Sequence, residues 1–248
     1  MKNTSTLSIG LLIALMTCLM TACYKPVKVV STEGIIIPID STLDAIQDSD
    51  YIQSLIPLKQ EMNAMMGEQI GYCEVDMFVE LPESPMINWT SDVLLAEARQ
   101  HYPGEVDCAI VNVGGIRCEW IKGPVTVGNV YELMPFDNEL CVLALTGEDI
   151  LELCQVFVQV GGEGVSNLTI QAEEGQLIDA QIGGKAIDPE AIYHVATSDY
   201  LSTGKDKMIP LANHVEYWSD NARIRDLYIH YIREHKKVTA QKDQRIIL

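Results

Sequence analysis

The sequence predicts an α+β fold in which a mixed β-sheet is flanked by helices. Residues 106–112 form a short apolar run with turn residues on both sides, which is typical of a buried strand. Apolar residues recur at helical spacing from Ile150 to Val158, which indicates an amphipathic helix. Gly183 and Gly184 join two apolar-edged segments, as a two-residue hairpin turn does. Because the sequence has no internal repeat, we expect one domain over residues 35–248.

The remaining elements follow from the two side-chain periods, about 2 residues for a strand and about 3.6 for a helix. Apolar runs and alternations predict further strands at residues 35–39, 70–80, 139–145, 167–171, 177–182 and 192–197. Helical spacing predicts two earlier helices, over residues 50–66 and 89–100. The second of these helices has Asn88, Thr90 or Ser91 as its expected cap.

Helix ends carry recognisable signals. Thr146 is followed by two acidic residues, so it is expected to cap the helix that contains Ile150, with the acids at the positive end of the helix dipole. The glycine-rich residues 161–164 should end that helix as a flexible stop. Ser219 or Asp220 is the expected cap of a final helix, which closes near two lysines.

The N-terminus predicts a lipoprotein signal peptide over residues 1–22. The apolar run at residues 7–20 is too short and wrongly flanked for a transmembrane helix. The sequence L-M-T-A-C that ends at Cys23 resembles a bacterial lipobox, which implies cleavage before Cys23 and attachment of lipid to its thiol. The alternative is an ordinary secretory signal. Residues 23–34 then form a tether, and because no acidic run follows the cysteine we expect an outer-membrane lipoprotein facing the periplasm.

Composition and charge exclude several classes of protein. The chain has 248 residues, of which 48% are hydrophobic and 21% charged, as in an ordinary globular protein. Its formal net charge is −18, and a surface so acidic repels phosphate backbones and anionic membrane surfaces. We therefore expect no nucleic-acid partner. A small phosphorylated ligand would need a local group of cations.

Five cysteines follow the proposed lipid site: Cys73, Cys108, Cys118, Cys141 and Cys154. None belongs to a C-x-x-C pair, so the sequence does not predict a zinc site. Cys108 and Cys141 lie within apolar strand-like runs, where free thiols behave as small hydrophobic residues. The sequence leaves disulfide pairing open.

A glycine pair marks the first candidate site. Gly114 and Gly115 follow the predicted strand at residues 106–112, and Arg117 comes just after them. Glycines let the backbone turn sharply and let a ligand approach it closely. A guanidinium offers a planar fork of donors suited to phosphate. The alternative is an ordinary turn whose arginine pairs with an acid at the surface.

Phe136 is the second candidate. It lies in the turn-like segment P-F-D-N, where a large aromatic side chain need not be buried. Flat rings stack on nucleobases with about 1–3 kcal/mol per base. The alternative is that Phe136 is an ordinary core residue.

These segments, together with residues 196–207, resemble the C-terminal, substrate-binding domain of the 5'-nucleotidase and UDP-sugar hydrolase family. The family carries G-G-I-R, P-F-x-N and A-T-x-D-Y-L-x-x-G-G-D-G in this order. The chain has the first two motifs complete and reads A-T-S-D-Y-L-S-T-G-K-D-K in the third, and the resemblance extends over about residues 40–211. Lys205 and Lys207 replace two glycines, and because lysine tolerates positive φ poorly we expect a reshaped loop.

The resemblance implies a set of substrate-binding residues: Asn112, Gly114, Gly115, Arg117, Phe136, Asn138, Tyr200 and Asp206. It implies that Phe136 and Tyr200 hold the two faces of a base and that Asn138 bonds its edge. It also implies that Arg117 holds the phosphate and that Asp206 accepts hydrogen bonds from the ribose hydroxyls. The alternative for the third motif is that its lysines and Asp206 form a solvated charged loop.

A further phosphate-binding arginine is not identifiable in the sequence. The beginning of the second helix, at Ser91 and Asp92, is the place where the resemblance would position one, and it carries acids and hydroxyls instead.

No catalytic residue is predicted. Phosphatase sites with two metals need about six Asp, His and Asn ligands, which the family supplies from an N-terminal domain through motifs such as D-x-H and G-N-H-E. The chain has five histidines, and none lies in a D-x-H or H-x-H arrangement. The resemblance therefore implies no metal in this chain, and two divalent metals in a separate metallophosphatase chain that acts as its partner.

Three functions remain open. The first is a lipid-anchored nucleotide-binding subunit of a 5'-nucleotidase-type hydrolase, acting in nucleotide catabolism. The second is a stand-alone lipoprotein that binds nucleotides or nucleosides, and the third is a fold that has lost its ligand. An exposed apolar surface would favour the first, and burial of Phe136 or Tyr200 in the core would favour the third. Met62, Met65 and Met66 are expected to fill the core rather than to form such a surface.

Overall fold

The computed structural model describes residues 31–36 and 49–248. The chain divides into two compact units, Met1–Ile52 and Gln53–Leu248. In the first unit, residues 31–36 are exposed and have no regular structure, so the predicted strand at residues 35–39 is wrong for its two described residues. Its other residues, the predicted signal peptide and Cys23 lie outside the described residues. The domain start at residue 35 stays a prediction.

Six helices and twelve strands lie in the described part of the chain. The helices are α1 (Ser49–Met66), α2 (Pro85–His101), α3 (Val127–Leu133), α4 (Gly147–Val160), α5 (Asp199–Ser202) and α6 (Ile224–His235). The strands are β1 (Gln69–Cys73), β2 (Cys108–Val111), β3 (Gly123–Thr126), β4 (Leu140–Thr146), β5 (Gly164–Ser166), β6 (Leu168–Glu173), β7 (Gln176–Ile182), β8 (Lys185–Ala186), β9 (Ile192–Ser198), β10 (Glu216–Trp218), β11 (Lys237–Val238) and β12 (Ile246–Ile247). None of these helices is both long and apolar enough to span a bilayer.

The central sheet is mixed, as the sequence predicts. It has five strands in the order β10-β4-β9-β2-β5. Strands β2 and β9 are parallel, whereas the other neighbours are antiparallel. Two smaller sheets have the orders β11-β1-β3 and β12-β6-β7-β8.

The central sheet separates two hydrophobic clusters. Successive side chains of a strand point to opposite faces, so Cys108 and Ile110 of β2 enter one cluster while Ala109 and Val111 enter the other. Helix α4 packs in the first cluster, and helices α2 and α6 supply much of the second. The prediction of a mixed sheet flanked by helices is therefore confirmed.

Cysteines support this core as hydrophobic residues. The five cysteines of the described residues are free thiols, and Cys108 and Cys141 are fully buried in strands. Burial raises the pKa of both thiols well above the ordinary value, because a thiolate loses its hydration there. Their predicted behaviour as small hydrophobic residues is confirmed.

Two local predictions are confirmed in detail. The hydroxyl of Thr146 accepts a hydrogen bond from the backbone N–H of Asp149 at 3.2 Å, and the Asp149 carboxylate accepts one from the Thr146 N–H at 3.3 Å. This reciprocal pair satisfies two donors at the start of α4. Gly183 (φ 58°) and Gly184 (φ 74°) form the turn between β7 and β8, and both adopt the left-handed conformation that a two-residue hairpin needs.

Helix α2 begins earlier than predicted. Ser84 is its cap and accepts a hydrogen bond from the Ile87 N–H at 3.4 Å, while Pro85 occupies the first turn. Thr90 and Ser91 lie inside the helix, where their hydroxyls donate to the carbonyl of Ile87. The predicted caps were wrong because the proline, which needs no N–H partner, allows the helix to begin before them.

The start of α6 was also misplaced. Helix α6 begins at Ile224 after Arg223, which makes no side-chain cap. The Ser219 hydroxyl donates to the Leu140 carbonyl at 2.8 Å, and the Asp220 carboxylate accepts from the Ala222 N–H at 3.0 Å. Both candidate caps are used in the preceding turn because tertiary contact with β4 holds that turn in place.

Two further expectations differ from the structure. The strand predicted at residues 70–80 ends at Cys73, and only an isolated bridge between Met77 and Trp120 follows it. Met62 is 51% exposed and Met65 is 53% exposed, so the prediction that they fill the core was wrong. Both project from α1, which exposes most of its surface.

Candidate functional site

The topology of the central sheet brings the predicted site residues to one edge. Strands β2 and β9 are parallel, with Ala109 paired to Ala196, so their C-terminal ends lie at the same edge. Strand β4 runs antiparallel to β9, with Leu140 paired to Ser198, so β4 begins at that edge. The segments after β2, before β4 and after β9 carry the three motifs and therefore meet there.

All eight predicted residues line one cavity of about 420 Å³: Asn112, Gly114, Gly115, Arg117, Phe136, Asn138, Tyr200 and Asp206. A volume of a few hundred Å³ is typical of small-molecule sites. The cavity combines two aromatic rings, two amides, one guanidinium and one carboxylate. The structure thus brings the predicted residues together, while their role in binding stays a prediction.

The glycine pair forms a short 3-10 turn, Val113–Gly115, directly after β2. A Cβ atom added to Gly115 would lie 2.8 Å from Asn112 Oδ1, so any other residue would displace the Asn112 amide. A Cβ atom on Gly114 would meet nothing closer than 3.8 Å. Gly115 is therefore required for close approach to Asn112, whereas Gly114 leaves open space at the cavity.

Asp206 connects two walls of the cavity. Its carboxylate accepts hydrogen bonds from Asn112 Nδ2 at 2.5 Å and from the Tyr200 hydroxyl at 3.0 Å. The bond to Asp206 raises the pKa of Tyr200, because it favours the protonated phenol. The three side chains form one polar wall built from two sheet-edge loops.

The loop that carries Asp206 is left-handed at two residues that are not glycine. Asp206 has φ 54° and Lys207 has φ 67°. The Lys205 ammonium lies 4.8 Å from the centre of the Tyr200 ring, in cation–π contact. Lys205 is absent from the cavity lining, so its ammonium lies beside the Tyr200 ring rather than in the cavity itself.

Phe136 is not a core residue. It is 39% exposed, and the Arg117 guanidinium carbon lies 5.1 Å from the centre of its ring. The arginine and the ring thus form one continuous surface of the cavity. This geometry excludes the alternative in which Phe136 fills the hydrophobic core.

Glu163 was missed at the sequence level, because residues 161–164 were interpreted only as a flexible stop. Its carboxylate accepts a hydrogen bond from the Val113 N–H at 2.6 Å, which fastens the glycine turn. Burial, opposed by this hydrogen bond and reinforced by the charge of Asp206, raises the pKa of Glu163 to about 7. The sequence feature that could have identified Glu163 is a charged residue placed between two glycines, Gly162 and Gly164.

Arg225 was missed as well. It lies in the first turn of α6 and is only 6% exposed. A small chamber of about 30 Å³ behind the cavity has Arg225 in its wall and shares Asn112, Gly115, Phe136 and Asn138 with the cavity. The sequence does contain an indication that Arg225 is buried. Arg225 lies three residues before Tyr228 and seven before Ile232, so it falls on the apolar face of the helix.

The segment at Ser91 and Asp92, which lies inside α2, does not line the cavity. Ser91 is buried and donates to the Val165 carbonyl at 2.9 Å. The Asp92 carboxylate accepts a hydrogen bond from Arg245 Nη1 at 2.8 Å, and Arg245 also binds Asp243. These contacts fasten the C-terminal segment to α2. The position at which the resemblance would place a phosphate-binding arginine therefore stabilises the fold.

The side chains of the cavity indicate what the site could bind. Within residues 31–36 and 49–248, no group of three or more His, Cys, Asp or Glu side chains is arranged to hold a metal ion. The rings, amides and charges can hold a flat, polar ligand. The fold and the cavity together define an α+β domain with a candidate ligand-binding site at the edge of a mixed sheet.

Comparison with known proteins identifies the family. The model of the family described as 5'-nucleotidase, C-terminal domain, matches residues 69–214. The chain therefore belongs to this family. The match covers β1, all three motifs and the central sheet except for its edge strand β10.

Individual relatives agree with this assignment. The chain is 30% identical over 193 residues to the trifunctional nucleotide phosphoesterase protein YfkN of Bacillus subtilis, covering 69% of this chain and 13% of the relative. It is 22% identical over 265 residues to a probable 5'-nucleotidase of Treponema pallidum, covering 90% of this chain and 44% of the relative. The chain thus spans less than half of the length of either relative.

A solved structure supports the fold. The 5'-nucleotidase precursor from Thermus thermophilus superimposes with a TM-score of 0.69 at 26% sequence identity. The superposition covers 81% of this chain and 43% of that structure. The arrangement of a mixed sheet with flanking helices is therefore that of a 5'-nucleotidase C-terminal domain.

Proposed function

We propose that this protein is a lipid-anchored nucleotide-binding subunit of a 5'-nucleotidase-type hydrolase, which acts in nucleotide catabolism with a separate metallophosphatase chain. The observation that carries the proposal is the single cavity lined by all eight residues of the three motifs. Family membership supports the choice of a nucleotide as ligand.

Each wall of the cavity suits one part of a nucleotide. Phe136 and Tyr200 offer ring faces to a base, with about 1–3 kcal/mol of stacking per base. The Asn138 amide can both donate to and accept from a base edge. The Asp206 carboxylate has acceptor capacity left for ribose hydroxyls, and Arg117 can pair with a phosphate group.

The catalytic metals are proposed to come from the partner. The described residues contain no candidate cluster of metal ligands, and the relatives that match are at least twice as long as the matched part of this chain. In a two-metal site the ions orient the attacking water and stabilise the leaving oxygen. This chain would present the nucleotide to that site, holding the base and ribose in its own cavity.

The surface of α1 favours a partner over solitary action. Leu58 is 63% exposed, Met62 is 51% exposed and Met65 is 53% exposed. The three residues are spaced i, i+4 and i+7 and so lie on one face of α1, and an exposed apolar face is typical of a protein–protein contact. The proposed occupant is the metallophosphatase chain.

Anchoring by lipid is part of the proposal. It rests on the L-M-T-A-C sequence that ends at Cys23 and on the leader before it. Two or more acyl chains hold a protein at a membrane durably, whereas a single chain does so only marginally. The proposed location is the outer membrane, with the domain facing the periplasm.

A second candidate is a stand-alone nucleotide- or nucleoside-binding lipoprotein without a catalytic role. The observation that favours it is an intact cavity formed by this chain alone, with Phe136 and Tyr200 in its lining rather than in the core. The same observation argues against a fold that has lost its ligand.

A reconstitution assay tests the two candidates. Phosphate release from AMP is measured with the full chain alone, with a metallophosphatase-only chain of the same organism alone, and with both. The first candidate predicts release, abolished by a chelator, that rises at least tenfold in the mixture and falls when Phe136→Ala replaces the wild type. Binding of AMP without any gain in the mixture supports the second candidate. Release of phosphate by this chain alone would contradict both.

A further inference from the structure

Arg225 is a buried cation that reaches the segment before β4 from the first turn of α6. Its Nη1 donates to the Phe136 carbonyl at 3.3 Å and lies 3.5 Å from the Met134 carbonyl. Its Nη2 donates to the Asp137 carboxylate at 2.5 Å. One guanidinium thus contacts the segment at Met134, Phe136 and Asp137.

One face of the guanidinium plane is also in contact with a side chain. The Arg225 Cζ atom lies 4.1 Å from the centre of the Tyr131 ring of α3, in cation–π contact. Asp137 holds its negative charge beside this cation, because the hydrogen bond and the charge of Arg225 lower the pKa of its carboxyl. The guanidinium is therefore fixed in both position and plane.

Stability alone does not explain this arrangement. Burial of a charge is costly, and the ion pair offsets that cost poorly, since the side chain of Asp137 is 67% exposed. The Arg225 Nε atom is buried without a hydrogen-bond partner within the described residues, which adds to the cost.

The Phe136 ring needs such an anchor. With 39% of its surface exposed, the ring lacks the packing that orients a core residue, and it stands between the cavity and the small chamber whose wall contains Arg225. Apart from its contact with Arg117, the angle of the ring therefore depends on the backbone from which it projects. Arg225 holds that segment through two backbone carbonyls, of Met134 and Phe136, and through the Asp137 carboxylate.

We propose that Arg225 is a positioning residue that sets the Phe136 ring at the angle and height needed to stack on the ligand. It acts through Phe136 and does not itself touch the ligand. The proposal rests on the proposed function, because its effect on affinity can be measured only if the cavity binds a nucleotide or nucleoside. It adds to that function by naming the residue that orients the base-stacking ring.

Lysine is the informative replacement. Arg225→Lys keeps the charge and most of the side-chain volume, but an ammonium lacks the planar fork that reaches three acceptors. Asp137→Ala is a second variant that removes one anchor from an exposed position and leaves the buried face of α6 untouched. Arg233→Lys is the matched control, because Arg233 lies on the same helix with its side chain 45% exposed and pairs with Glu68.

The test is a double-mutant cycle on ligand affinity, with adenosine and AMP as probes and calorimetry on the full chain. Arg225→Lys is expected to weaken binding about tenfold in the wild-type background and less than about twofold when Phe136→Ala is already present. Arg233→Lys should leave the affinity unchanged. Equal losses in both backgrounds would show that Arg225 acts independently of Phe136 and would overturn the proposal.

A ligand-free measurement separates this proposal from the proposed function. Met134 and Glu139 flank the segment, and their N–H groups bond to the Val130 carbonyl and the Asp199 carboxylate. In Arg225→Lys, amide hydrogen exchange at both positions should accelerate while exchange within β4 stays constant. If neither probe binds the wild type, the proposed function fails, and this local acceleration still supports the positioning role. Unchanged exchange at both positions would overturn that role.

Discussion

The side-chain amide of Asn112 donates a 2.5 Å hydrogen bond to the carboxylate of Asp206, although the two residues are 94 positions apart. The bond joins the turn after β2 to the loop after β9. Tyr200 donates its hydroxyl to the other oxygen of the same carboxylate. Asp206 thus fixes the polar wall of the cavity before any ligand arrives, and such preorganisation lowers the ordering cost of binding.

Asp206 is predicted to recognise ribose hydroxyls. A carboxylate has about four acceptor sites, and two of them remain after the bonds to Asn112 and Tyr200. The wild type should therefore bind adenosine about tenfold more tightly than 2',3'-dideoxyadenosine, since a hydrogen bond to a charged group contributes roughly 1.5–3 kcal/mol. In Asp206→Ala the two ligands should bind equally. Persistent discrimination in that variant, measured by calorimetry, would contradict the assignment.

Phe136→Ala is predicted to weaken binding of adenosine or AMP by about 1–3 kcal/mol, the typical contribution of one stacking ring. The free energy of unfolding should change little, because the ring is 39% exposed. Phe78→Ala is the matched control, since Phe78 is 45% exposed and absent from the cavity lining, and it should alter neither quantity much. Phe157→Ala, in the buried core, should cost about 3–5 kcal/mol of stability. A large loss of stability in Phe136→Ala would show that the ring has a structural role.

Glu163 is predicted to make stability depend on pH near neutrality. Its folded-state pKa of about 7 lies above the ordinary value of 4.5, so the folded protein binds the proton more tightly than the unfolded chain does. Its contribution to stability is therefore complete below about pH 4.5 and is lost as the pH rises through about 7.

Urea unfolding at pH 5 and pH 8 measures this contribution. The loss of stability between the two values should be smaller in Glu163→Gln than in the wild type, by on the order of 2 kcal/mol. Gln can still accept the hydrogen bond from the Val113 N–H. Glu148→Gln, at an exposed position of α4, should reproduce the wild-type dependence. An identical pH dependence in wild type and Glu163→Gln would refute the prediction.

Cys23→Ser is predicted to release the protein from membranes, because the Cys23 thiol is the proposed site of acylation. Partitioning between detergent and aqueous phases measures the effect. Cys18→Ser is the control, since that cysteine lies within the predicted leader, and it should leave partitioning unchanged. A Cys23→Ser protein that stays in the detergent phase would point to a different anchor.

Local features of the fold were predictable because they depend on neighbours in the chain. The reciprocal cap of Thr146 and Asp149 spans three residues, and the hairpin turn of Gly183 and Gly184 spans two. The predicted mixed sheet and most predicted strand positions also agree with the structure, apart from residues 35–36 and the region after Cys73. Predictions of helix starts were wrong where a proline or a tertiary contact decided the boundary, as at Pro85 and Ser219.

The sequence by itself determined the family and the eight candidate site residues, because both depend on short motifs. It also determined the helical and strand periods, because these depend on the spacing of nearby apolar residues. Only the tertiary structure decided how those motifs meet. The parallel pairing of β2 with β9 brings Asn112 to Asp206, and the packing of α6 brings Arg225 to Phe136 from about ninety residues away. Contacts over such separations depend on strand order and helix packing, which the pattern of neighbouring residues does not encode. For that reason Arg225 and Glu163 became visible as parts of the site only in the folded protein.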